Sequence, residues 1–146
     1  MVRQGSGLNV DKKLYVETIV NNNRRLQPVI GKTQLKVGDK VVVRLTVRLD
    51  RTMDFVQLKD QRAACLEPVE VLSGYRNVGD VGCYVAVKDA STDFFFDTLN
   101  KGTYVLEYSY RVDRAGSYET GIATIQSAYA PEYAAHSASA RYEVSQ

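Results

Sequence analysis

The run KVVVRLTVRLD, residues 40–50, repeats with a period of two. Val41, Val43, Leu45, Val47 and Leu49 share one parity; Val42, Arg44, Thr46 and Arg48 share the other. Side chains alternate between the faces of a strand, so one parity enters a core and the other meets water. Wound into a helix, the same residues would scatter apolar groups around the axis. TYVLEYSYRVD repeats the device, with Tyr104, Leu106, Tyr108, Tyr110 and Val112 set against Glu107, Ser109 and Arg111. LYVETIV and ARYEV are shorter versions, and DFFFD and GIATIQSAY are strands with less regular alternation.

Turn residues punctuate these runs: Lys36 to Asp39, Ser73-Gly74, Gly79-Asp80, Asn100 to Gly102, and Arg114 to Gly116. Short strands at this spacing, rich in β-branched and aromatic residues, predict an all-β, immunoglobulin-like sandwich of two antiparallel sheets. DQRAACLE has room for one helical turn at most. Residues 1–10 read as a linker or tag remnant ahead of a single domain spanning 11–146. VNNNRRLQPVIGK, residues 20–32, reads as a long exposed connection.

A chain of 146 residues fits one domain and buries about 68–70% of its unfolded surface, enough to fold without metal or disulfide. The net charge is +2 and the basic residues are spread along the chain, which argues against a nucleic-acid partner. No run approaches the ~18 apolar residues of a membrane span, and the first residues carry no signal-peptide core, so direct membrane insertion is not expected. Two cysteines are too few for a disulfide scaffold and leave the redox compartment open.

Candidate chemistry is sparse. His136 is the sole histidine, with only the Ser137 hydroxyl beside it in sequence; triads and most zinc sites need more partners. Asp89, Asp93 and Asp97 recur every four residues, but the intervening phenylalanines favour a strand, and no calcium-binding loop appears. No catalytic, metal or cofactor site is expected, and the chain does not read as an enzyme. Cys65 reads as a small buried apolar residue, with a disulfide to Cys83 or a free exposed thiol as alternatives. On a strand, Phe94 and Phe96 point one way and Phe95 the other. One side is core; the other needs cover from loops, from neighbouring rings, or from an interdomain or partner interface. Most of the ten tyrosines fall at core or core-rim parities.

ACLEP, residues 64–68, looks at first like the Cys-containing core of the internal thioester of protease-trapping proteins. Pro68 stands where the acyl-donating Gln would be and has no side-chain acyl group, so this chain forms no such thioester. The Glu67-Pro68 pair belongs to a different resemblance. LKVGDKVVVRLTVRLDRTMDFVQLKD, EPVEVLSGY, KDASTDFFFDTLNKGTYVLEY, RVDRAGSY and AYAPE, in this order between about Leu14 and Val144, resemble the C-terminal macroglobulin-like domain of bacterial alpha-2-macroglobulin family proteins of the Bacteroides type. That resemblance implies a fragment of a much larger peptidase inhibitor of the cell envelope. The parent would trap a protease that cuts an exposed bait. Its target proteases would be partners of the whole protein, and this domain's partners would be the other domains of the same chain. The rival reading is a stand-alone adhesion or glycan-binding β-sandwich module.

Overall fold

The computed structural model describes residues 7–29, 34–70, 72–78, 81–130 and 132–146. The expected turn at Gly79-Asp80 lies outside them, as does Pro131 of AYAPE. Among the described residues there are fourteen strands and no helix. In chain order they are β1 (Leu8–Val20), β2 (Asn23–Pro28), β3 (Gln34–Lys36), β4 (Lys40–Leu49), β5 (Met53–Gln61), β6 (Leu66–Pro68) and β7 (Gly74–Val78). Then follow β8 (Val81–Val87), β9 (Ser91–Leu99), β10 (Gly102–Val112), β11 (Gly116–Glu119), β12 (Ala123–Ser127), β13 (Ala134–His136) and β14 (Arg141–Ser145).

The strands form the predicted sandwich. A five-stranded sheet runs β2-β1-β4-β10-β6, and a six-stranded sheet runs β13-β12-β5-β9-β8-β7. All neighbours in both are antiparallel. A smaller sheet, β11-β14-β3, contains the parallel pair β14–β3. The inward parity of β4, from Val41 to Leu49, is buried as expected and joins Leu8, Val10, Leu58, Phe94, Phe96, Leu106, Tyr110 and Ile125 in the core between the sheets.

Two expectations give way. Leu8 and Val10 are buried in β1 and pair with Leu49 and Val47, so the sandwich takes in residues assigned above to a linker. The 20–32 segment holds β2, which folds back on β1 from Tyr15↔Pro28 to Val20↔Asn23. The two residues between the strands, Asn21 and Asn22, have φ of 54° and 66°. That is the left-handed pair a two-residue hairpin turn requires, and Asn tolerates it. β2 stays exposed, so it lacks the apolar alternation by which the other strands are recognised.

Candidate functional site

The sandwich has two outward faces of different character. On the five-stranded sheet the outward parity is largely charged and cross-paired, although Val42, expected on the water side, is 1% exposed. Arg44 Nε donates to Glu107 Oε2 at 2.5 Å and Nη1 donates to the Tyr15 hydroxyl at 3.2 Å. Glu17 accepts from Arg24 at 2.6 Å and lies 3.3 Å from Lys40 Nζ; the bond from Arg24 is the largest influence holding its carboxyl below the usual range. Such pairs suit a face left in water.

The six-stranded sheet differs. One register row crosses it from β7 to β13: Tyr75, Tyr84, Phe95, Gln57, Gln126 and Ala134. It contains no charged residue. Tyr75 and Tyr84 meet edge to face with centroids 5.0 Å apart, and Tyr84 and Phe95 are 6.3 Å apart and tilted. Tyr75 is 79% exposed and Phe95 37%. Aromatic enrichment with few charges is the compositional mark of an interface core.

The three phenylalanines therefore divide. Phe94 and Phe96 are core residues, 1% and 4% exposed, with the Phe94 ring 5.1 Å from that of Tyr108. Only Phe95 reaches the outer face, so the candidate interface keeps Phe95 and loses its two neighbours. The alternation made Phe95 legible. Its companions Tyr75 and Tyr84 were missed, because they join it only through the register of β7, β8 and β9.

A polar cluster lies between the sheets. Lys12 of β1 places Nζ 2.6 Å from Asp60 Oδ1 of β5, and both side chains are buried. The same ammonium donates to the carbonyls of Gln61 and Gly121, each at 2.9 Å, and the Tyr108 hydroxyl donates to Asp60 Oδ2. Burial pushes the Asp60 carboxyl up to about 6, chiefly against the pull of Lys12. Nearby, Arg62 donates to the carbonyls of Lys88, Asp89 and Ser91 and lies over the Tyr110 ring at 5.6 Å. These groups bind the sheets and the turn after β8 together.

An apolar cleft of about 290 Å³ opens near this cluster, its walls including Val78, Val85, Phe94 and Tyr110. The other candidates are dispersed. His136 Nδ1 donates to the Ser137 carbonyl at 3.0 Å, and the Ser137 hydroxyl accepts the Ala123 N–H at 2.9 Å, so neither partner activates the other. Asp93 is buried and held by Lys88 and Ser91, both at 3.0 Å. Asp89 and Asp97 are exposed elsewhere, and four residues of strand separate Asp93 from Asp97 by about 13 Å. No group of three metal-ligating side chains occurs among the described residues. Cys65 and Cys83 are both buried free thiols, and burial pushes Cys83 up to about 11. Glu67 and Pro68 end β6 opposite Arg111 and Tyr110, an edge position where proline's missing donor costs least.

The model of the bacterial alpha-2-macroglobulin MG10 domain matches residues 7–132. Similar solved structures include Salmonella alpha-2-macroglobulin reacted with methylamine, at 21% identity and TM-score 0.73, covering 96% of this chain and 9% of that one. Native alpha-2-macroglobulin from Escherichia coli, spanning domain MG7 to the C-terminus, matches at 15% identity and TM-score 0.72, covering 96% of this chain and 24% of that one. The trypsin-activated Escherichia coli protein matches at 14% identity and TM-score 0.72, covering 96% and 10%. The chain thus spans a small part of the length of these structures, and at such identities the likeness shows the fold. No curated protein matches the chain.

Proposed function

We propose, because this chain belongs to the family of bacterial alpha-2-macroglobulin MG10 domains, that it is a non-catalytic terminal domain of a larger peptidase inhibitor of the cell envelope. In this reading it packs on other domains of the same chain and couples to their rearrangement when a protease cuts the parent. Target proteases meet the parent through parts outside this domain. The observation that supports the packing role is the cluster of rings on the outer face of the six-stranded sheet: Tyr75 is 79% and Phe95 37% exposed, and both pack against Tyr84. A contiguous exposed aromatic patch is a mark of a surface that another domain covers.

A glycan-binding module would present its rings as a flat stacking surface. Here Tyr75 and Tyr84 stand 75° apart and Tyr84 and Phe95 50° apart, so the rings pack on one another and leave no common plane. The test is an immunoblot of native cells with an antibody raised against this chain. Antigen running far above 16.3 kDa is expected. Antigen at that mass would end the inhibitor reading, since bait and trap would both be missing.

A further inference from the structure

Strands β8 and β9 pair from Val87↔Thr92 to Tyr84↔Phe95 and then part. Beyond that point β8 continues against β7 alone, and β9 against β5 alone. The fork leaves a pocket of about 200 Å³ lined by Tyr75, Gly82, Cys83, Phe95, Phe96, Asp97 and Thr98. This is below the roughly 300 Å³ at which small-molecule sites begin, and it suits one side chain. Gly82 leaves one wall without a side chain; a Cβ there would meet Asn77 Oδ1 of neighbouring β7 at 2.9 Å and none of the other walls. Two of the walls are the exposed rings of Tyr75 and Phe95. The Asp97 carboxylate stands at the mouth, exposed and without an ion pair or hydrogen bond among the described residues.

Ring faces attract cations, and a free carboxylate adds the complementary charge. Between the parted strands, main-chain groups no longer pair with each other and can accept further donors. A guanidinium uses all three features, because it is planar, stacks on rings and donates through five N–H groups. We propose that this fork takes an arginine side chain projecting from a neighbouring domain of the longer chain. The inference deepens the packing role above and rests on it for the source of the arginine; the chemistry of the pocket stands on the lining residues.

The test titrates the ¹⁵N-labelled 146-residue chain with N-acetyl-arginine amide and follows the amide resonances. Saturable shifts are expected at Tyr75, Gly82, Phe95 and Asp97, with dissociation in the millimolar range. Asp97→Asn should weaken binding at least threefold. Gly82→Ala, which adds a methyl group to this wall and displaces only the flexible Asn77 side chain, should do the same. An equal response to N-acetyl-norleucine amide, or none to the arginine probe, overturns the pocket. Tighter binding of the lysine analogue overturns the assignment to arginine, and unchanged affinity in both variants overturns the location. Any of these leaves the packing role intact. That role fails separately, if the outer face of the six-stranded sheet is as open in the parent as in this chain.

Discussion

Phe94, Phe95 and Phe96 show how one residue's step along a strand decides between stability and recognition. Phe94→Ala removes a fully buried ring and should cost about 3–5 kcal/mol in urea unfolding. Phe95→Ala, on the outer face, should cost no more than about 1 kcal/mol in the isolated chain. Equal losses would place both rings in the core. Asp60 gives a second test at this scale. Its carboxyl, about 6 when folded against 3.8 ordinarily, is surrounded by Lys12, Tyr108, Arg62 and Asp93. Between those values the folded protein holds a proton that the unfolded chain has released. The contribution of Asp60 is therefore fully present below about pH 4 and is lost as the pH rises to about 6, with a slope of at most ~1.4 kcal/mol per pH unit. Chemical denaturation of wild type and Asp60→Asn across this window should show the wild type losing stability relative to the variant as pH rises. A difference that grows in favour of the wild type would mean that Lys12 outweighs burial. Neither partner of this pair was visible in the sequence. Lys12 falls in the charged run Asp11-Lys12-Lys13, and its inward turn becomes meaningful only when β1 lies over β5.

At the level of elements, apolar alternation decided what could be read. β4 and β10 announce themselves because one face of each is core and the other is charged. β2 does not, since it buries almost nothing and owes its place to main-chain pairing with β1 and to Asn21-Asn22. The asparagine pair was the legible trace of the hairpin, hidden by the third asparagine and the two arginines after it. Because the hairpin is exposed, its stability is local. Asn22→Val places a β-branched residue at φ 66°, at a cost of about 1–2 kcal/mol. Amide exchange from Val16 to Leu26 should quicken roughly tenfold, while the global unfolding midpoint hardly moves. Global loss would show instead that the hairpin braces the core. The fork between β8 and β9 was illegible for another reason: strand runs can be read singly, but the point where two of them part depends on all their neighbours.

At the scale of the molecule, the asymmetry of the sandwich makes a directional claim about what surrounds it. If the sheet bearing Tyr75, Tyr84 and Phe95 is the packed side, its partner must cover mainly side chains, because outside the fork between β8 and β9 the main chain there is already engaged in the sheet. Main-chain exchange alone would therefore report the contact poorly, and side-chain footprinting is the appropriate probe. Hydroxyl-radical modification of Tyr75 and Phe95 should fall at least threefold in the full-length parent relative to this chain. Tyr15, on the opposite face beside Arg44, serves as the internal standard and should react equally in both. Protease cleavage of the parent should then change the Tyr75 and Phe95 signal, if this domain is coupled to the rearrangement. Protection of Tyr15 with Tyr75 left open would put the packed side on the ion-paired sheet. The Arg44–Glu107 pair would then be a buried contact between domains, and truncating either partner would weaken the parent far more than the isolated chain.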